Sequence, residues 1–168
     1  MSQPKEIFVK TDRCMGCRSC IIACAVAHSE SKTLFGAVAQ SPGPKNRVYV
    51  EWVAPDKKVP IVCRQCEDAP CMYACISGAI SRNEKGIVVT DPDKCIGCWT
   101  CVMVCPYGVI GRNLETRKAY RCDRCPDRDI PACVSACPTG ALVYDTVPAY
   151  SGAVRKQVSQ ALSKAEGE

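Results

Sequence analysis

Large aromatic side chains are scarce in this sequence, with two tryptophans and two phenylalanines among 168 residues. A core of that size normally uses more of them, so part of the interior is filled by something other than side chains. A single histidine is present, His28, and no Ser-His-Asp or HExxH pattern surrounds it, which excludes hydrolytic chemistry of those kinds. Long apolar runs are missing too. A membrane-spanning helix needs about 18 such residues, and the longest stretch, Ile21 to Ala27, falls far short. The opening MSQPKEIFVK is charged and has no apolar leader segment, so the expected location is cytoplasmic. Basic runs never exceed two residues and acids are interleaved among them, which argues against a nucleic-acid partner.

Cysteine, by contrast, is abundant, at sixteen residues. Disulfides, structural zinc and iron–sulfur clusters compete to explain that number, and a reducing cytoplasm disfavours the first. The cysteines form four groups of four with none left over. They are Cys14, Cys17, Cys20, Cys24; then Cys63, Cys66, Cys71, Cys75; then Cys95, Cys98, Cys101, Cys105; then Cys122, Cys125, Cys133, Cys137. In every group the last two are four apart, about one helical turn, so each group reads as a loop running into a short helix. A turn follows three of them, at Ile76-Ser77-Gly78, Pro106-Tyr107-Gly108 and Pro138-Thr139-Gly140.

Cys95-x2-Cys98-x2-Cys101-x3-Cys105-Pro106 is the bacterial ferredoxin run, in which three thiolates wrap one [4Fe–4S] cubane and the fourth serves its neighbour. The first group has the same spacing with Ala25 in place of proline, and the second and fourth widen the gap before the third cysteine. Zinc ribbons use two CxxC knuckles and have no reason to repeat the extra cysteines at these spacings. Sixteen metal-bound thiolates change the charge balance. The formal +5 becomes roughly −3 with four oxidised clusters. Arg13, Arg18, Arg64, Lys94, Arg121 and Arg124, which flank the cysteines, therefore read as compensation for cluster charge.

Short strands are expected at Ile7–Val9, Val48–Val53, Ile87–Val89 and Leu142–Tyr144, giving a loop-rich α+β fold. Residues 29–47, rich in Ser, Gly and Pro, read as a long loop carrying Leu34 and Phe35, which either dock a partner or cover the core. Residues 146–168 lack cysteine, and Val154 to Ala165 reads as a surface helix or a tail. His28 reads as an ordinary helix-end residue. Trp99, Tyr73 and Tyr107 pack against clusters or shield their sulfurs from water.

With its second and fourth groups irregular, the pattern resembles the four-cluster ferredoxin-like subunits of multi-subunit oxidoreductases over residues 5–145. More narrowly, Arg13-Cys14-Met15-Gly16-Cys17, Cys24-Ala25-Val26-Ala27-His28-Ser29 and Ser31-Lys32-Thr33-Leu34-Phe35 are similar to the ferredoxin-like protein accompanying nickel carbon monoxide dehydrogenase. The resemblance implies one domain built of nested bacterial ferredoxin-like modules, an outer one of residues 5–28 with 118–145 and an inner one of residues 59–117. It also implies four [4Fe–4S] clusters. Cys14, Cys17, Cys20 and Cys137 would hold one, and Cys24, Cys122, Cys125 and Cys133 the next. Cys63, Cys66, Cys71 and Cys105 would hold a third, and Cys75, Cys95, Cys98 and Cys101 the last. Sequential pairing, one with two and three with four, stays open, although the 19 residues between Cys75 and Cys95 suit a compact two-cluster unit of the second and third groups and the 38 between Cys24 and Cys63 suit one of the first and second poorly. The implied role is electron transfer without substrate chemistry, so the chain is not itself an enzyme. Its donor would be carbon monoxide dehydrogenase or another large redox enzyme, and its acceptor a hydrogenase or an NAD(P)-linked flavoprotein. The chain would work in the cytoplasm or at the periphery of a membrane complex. The alternative is the iron–sulfur subunit of a formate dehydrogenase, hydrogenase or molybdopterin oxidoreductase.

Overall fold

Almost every element of this chain is too short to hold its shape alone. The computed structural model, which describes residues 4–165, is α+β. Its helices are α1 (Ser19–Ala27), α2 (Leu34–Ala39), α3 (Pro70–Tyr73), α4 (Thr100–Val104), α5 (Ala132–Ser135) and α6 (Val147–Ala165). All but α6 are shorter than the roughly 12–15 residues below which an isolated helix is marginal in water. The strands are β1 (Lys5–Val9), β2 (Val48–Ala54), β3 (Lys57–Val62), β4 (Ile80–Arg82), β5 (Val88–Thr90), β6 (Gly111–Asn113), β7 (Lys118–Tyr120) and β8 (Leu142–Thr146). They form four separate two-stranded antiparallel sheets, each of which needs a packed face to persist.

Three sheets are hairpins made by local chemistry. In β4–β5 the Asn83 carboxamide oxygen accepts from the backbone N–H of Lys85 at 3.0 Å and of Ile87 at 2.9 Å. Asn113 does the same between β6 and β7, accepting from Glu115 at 3.1 Å and Thr116 at 3.2 Å. The fourth sheet is not local. β1 pairs with β8, setting Ile7 opposite Tyr144 and Val9 opposite Leu142, so the two ends of the cysteine-bearing chain lie side by side. Burial drives that pairing, because Ile7 and Leu142 sit in the core.

Two main apolar cores result. One gathers Ile7, Val48, Val50, Val62 and Leu142 around Cys20, Cys24 and Cys133, with α1 packed on α5. The other gathers Ala69, Ile80, Val88, Ile110 and Ala119 around Cys71 and Cys101, with α3 packed on α4. A small cluster of Cys63, Val109 and Cys122 adds a third. Cysteine thus takes positions where a core of this size usually places large aliphatic residues.

The expected strands are all present, with β5 one residue later than its apolar run suggested. Their partners β3 and β4, and the separate β6–β7 pair, carry weaker patterns. The expected loop at residues 29–47 is corrected in part, since Leu34–Ala39 is helical and capped by the Thr33 hydroxyl, which accepts from Gly36 N–H. Leu34, Phe35 and Val38 point outward and Ala37 is the residue buried, so Leu34 and Phe35 do not cover the core. The tail helix begins earlier than expected, at Val147, and is anchored by Tyr150 stacked on Phe8 with ring centroids 3.9 Å apart. Residues 1–3 and 166–168 of the expected domain and tail lie outside the described residues. Among the described residues no helix is long and apolar enough to cross a membrane.

Candidate iron–sulfur sites

Each cysteine loop curls because one or more of its residues sits in the left-handed region. In the first group these are Gly16 (φ 75°) and Arg18 (φ 61°), and in the third the equivalent Gly97 (φ 70°) and Trp99 (φ 64°). The second group uses Gln65 (φ 50°), and the fourth Arg124 (φ 64°) with Cys125 (φ 52°). Non-glycine residues adopt this conformation at a cost, so something must hold them there. At Gly97 a side chain is doubly excluded, since a Cβ would come within 2.4 Å of the Arg117 carbonyl oxygen. The third cysteine of each group then lies on a short helix, and Cys20, Cys71, Cys101 and Cys133 are all buried.

The thiols converge in space as four quartets. Cys14, Cys17, Cys20 and Cys137 line one cavity, walled by Val50, Pro60 and Leu142. Cys75, Cys95, Cys98 and Cys101 line another, walled by Ala79, Ile80 and Trp99. Cys24 and Cys133 lie beside Cys122 and Cys125, close enough for their charges to interact. Cys66 lies in the same way beside Cys63, Cys71 and Cys105. The quartets adjoin one another in a row, through Cys20 with Cys133, Cys122 with Cys63, and Cys71 with Cys101. Cys17 and Cys98, the two exposed cysteines, belong to the first and last quartets of that row.

The electrostatics of these quartets call for positive charge. Burial pushes the Cys24 thiol up to about 12 and the Cys101 and Cys122 thiols up to about 11, with repulsion from neighbouring sulfurs adding to it. Burial raises Cys20, Cys66, Cys125 and Cys133 by the same route. Three thiols shift the other way. Cys98 is lowered by the backbone N–H and hydroxyl of Thr100. At Cys75 and Cys137 burial opposes ionisation but is outweighed by nearby donors, which include the Ser77 and Thr139 hydroxyls respectively. Backbone N–H groups of Arg47 and Ala119 reach the sulfurs of Cys24 and Cys95 at 3.2 and 3.4 Å.

All sixteen cysteines are free thiols. Four soft donors converging in each quartet, with hydrogen-bond donors already aimed at sulfur, suit thiolate-bound iron, whose positive charge replaces the thiol protons. The buried guanidinium of Arg121, which donates to two sulfurs at 3.0 Å each, would be an unpaired buried cation if those sulfurs stayed protonated.

Of the flanking basic residues, Arg121 and Arg124 are buried whereas Arg13, Arg18, Arg64 and Lys94 are exposed. His28 does end α1, with Nδ1 2.7 Å from the Cys24 carbonyl oxygen. It does more than its sequence position suggested, because Nε2 meets the Asp123 carboxylate at 3.1 Å and ties the first group to the fourth. Arg47 donates to the other Asp123 oxygen. Burial opposes ionisation of Asp123, but His28 and Arg47 outweigh it and hold the carboxyl well below the usual carboxylate range. Trp99 is half-buried against the last quartet. Tyr73 and Tyr107 are 70% and 46% exposed.

Gln65 carries no sequence signal beyond its place between Cys63 and Cys66, yet it joins the two halves of the molecule. Buried, it donates from Nε2 to the Cys122 carbonyl at 2.9 Å and accepts from Val88 N–H at 2.8 Å. Gln65→Leu strands both backbone groups, each at about 1–3 kcal/mol. We expect a lower thermal midpoint of the cluster-loaded protein, and an unchanged midpoint would show that water or a shift of backbone satisfies them instead.

Residues 56–146 match the family of the 4Fe–4S dicluster domain, and residues 11–27 match a 4Fe–4S binding domain. An iron–sulfur protein of Rhodospirillum rubrum is 39% identical over 177 residues, covering 94% of this chain and 90% of its own. The electron transport protein HydN of Escherichia coli is 40% identical over 153 residues, covering 82% of this chain and 85% of its own. The thiosulfate reductase electron transfer subunit PhsB of Salmonella typhi is 38% identical over 146 residues, covering 79% and 70% respectively. With a family match over more than half its length and relatives that share the rest, the chain belongs to the ferredoxin-like 4Fe–4S dicluster domain family.

Proposed function

We propose that this protein is an electron-transfer iron–sulfur protein carrying four [4Fe–4S] clusters, one in each thiol quartet, and that it relays electrons between larger redox enzymes. The observation that carries the reading is the row itself, four adjoining quartets with one exposed cysteine in each end quartet and none in the two between. When bound, each cluster supplies one-electron chemistry. The chain's own part is to hold sulfur, exclude water and set potential through hydrogen bonds and fixed charge. Two nested modules follow from the ligand sets. The outer one takes residues 5–28 with 118–145, and the inner one takes residues 59–117. The proposed location is cytoplasmic, where thiols stay reduced.

Cys17 and Cys98 mark where electrons enter and leave. Two residues before each stands an exposed apolar residue, Met15 at 64% and Ile96 at 61%, which offers a partner a surface that is easily desolvated. For the donor, similarity over residues 13–17, 24–29 and 31–35 favours carbon monoxide dehydrogenase, with a hydrogenase or an NAD(P)-linked flavoprotein as acceptor. A second reading, service to another oxidoreductase such as a formate dehydrogenase or a molybdopterin enzyme, draws on the relative named as a thiosulfate reductase subunit. The test is to mix the anaerobically loaded protein with carbon monoxide dehydrogenase under CO and follow bleaching of its visible absorbance. Rapid, saturable bleaching is expected. Bleaching by formate dehydrogenase with formate, and none under CO, would replace the first reading by the second.

A further inference from the structure

We propose that Arg121 makes the site of Cys63, Cys66, Cys71 and Cys105 the first of the four to accept an electron, so that an electron in transit rests inside the row and not at either end. The inference depends on the reading that this quartet holds a cluster. Arg121 is 3% exposed, and its two terminal nitrogens donate to Cys71 Sγ and Cys63 Sγ at 3.0 Å each. A guanidinium keeps its charge at any working pH and presents a rigid fork to paired acceptors. Among the described residues no other Lys or Arg side chain donates to a cysteine sulfur, and no carboxylate pairs with Arg121. The remaining quartets draw on backbone N–H groups, hydroxyls and, 3.8 Å from Cys24, the His28 ring. Arg124, the other buried guanidinium, lies near Cys122 but donates to no sulfur and pairs with Glu6 at 3.4 Å.

Reduction takes one electron from an external low-potential donor, breaks no bond and moves no proton, so the quartet becomes more negative by one unit. A fixed cation against two of its sulfurs favours that state, for the same reason that a neighbouring arginine favours an ionised carboxylate. Burial strengthens the effect by removing the solvent that would screen it. Arg121 also directly precedes Cys122, a member of the adjoining quartet, so the cation sits at the joint in the middle of the row.

The experiment is a dithionite titration of the anaerobically loaded protein, followed by electron paramagnetic resonance, with iron counted first. Arg121→Met should keep about sixteen irons and lower the reduction equilibrium of the first-reduced site at least tenfold, or about 59 mV for one electron. The later signals should stay in place. Arg121→Lys, which retains charge without the fork, should recover part of the loss. Cys66→Ala should abolish the same signal that Arg121→Met moves. The proposal fails if that first midpoint is unmoved, if all midpoints fall equally, or if Cys66→Ala removes a different signal. Should Arg121→Met load poorly, Arg121→Gln keeps a donor without the charge and should show the same tenfold fall. Iron loss in both neutral variants would overturn the tuning role in favour of a structural one. Wild-type protein with far fewer irons would instead reject the cluster reading, before any potential is measured.

Discussion

Cys24→Ala and Cys125→Ala should each remove the same cluster, although the two residues lie a hundred positions apart in the chain. Each variant is expected to lose about four of roughly sixteen irons and to lack one common paramagnetic signal on reduction. The physical ground is the position of the Cys24 sulfur, buried on α1, which packs against α5, with Cys122 and Cys125 close enough for their charges to act on it. If neighbouring groups paired sequentially, Cys24 would complete a cluster with the second group, and Cys24→Ala would remove the signal lost in Cys66→Ala. Iron and sulfide analysis with resonance spectra of the three variants separates the two outcomes. Alanine is the better substitute, because a serine oxygen can stand in for sulfur at iron.

Stripping iron with a chelator should abolish the fold outright. Without metal the two cores are small, and cysteine sulfurs fill the places that bulky side chains would otherwise occupy. Helices α3, α4 and α5 are four or five residues long, and every sheet has only two strands. The left-handed residues at Arg18, Gln65, Trp99 and Arg124 lose the bonds that hold their loops in place, and Arg121 becomes a buried cation without anionic partners. In small zinc domains metal binding supplies on the order of 10 kcal/mol, most of the folding free energy. The apoprotein is therefore expected to show no cooperative thermal transition by circular dichroism, whereas the loaded protein should melt sharply. A cooperative transition in iron-free protein would show that the apolar cores suffice, and would make the clusters guests and not the centre of the fold.

Much of the candidate site was legible in the sequence because ligand spacing is a local property. Three cysteines within seven residues, followed by a fourth one helical turn on, state how a loop and a short helix must present sulfur. Strands such as Val48–Val53 were legible for the same reason, since alternation along a few residues reports one buried face. What escaped was whatever depends on a neighbour far along the chain. Residues 34–39 show no helical periodicity strong enough to outweigh the Ser, Gly and Pro around them, and the helix there depends on the Thr33 cap. Gln65 and Asp123 look like ordinary polar residues until Val88, Cys122, His28 and Arg47 are brought beside them.

The sequence by itself determined the chemistry: sixteen thiols in four repeated units, too many and too regularly spaced for zinc or disulfides, with basic residues supplied to balance them. Only the tertiary structure decided which units meet, because β1 pairs with β8 and α1 packs on α5 through burial of residues more than a hundred positions apart. It alone decided which of six flanking cations faces sulfur. Charge carries no direction in a sequence, and a guanidinium acts on a thiolate only when folding removes the water between them.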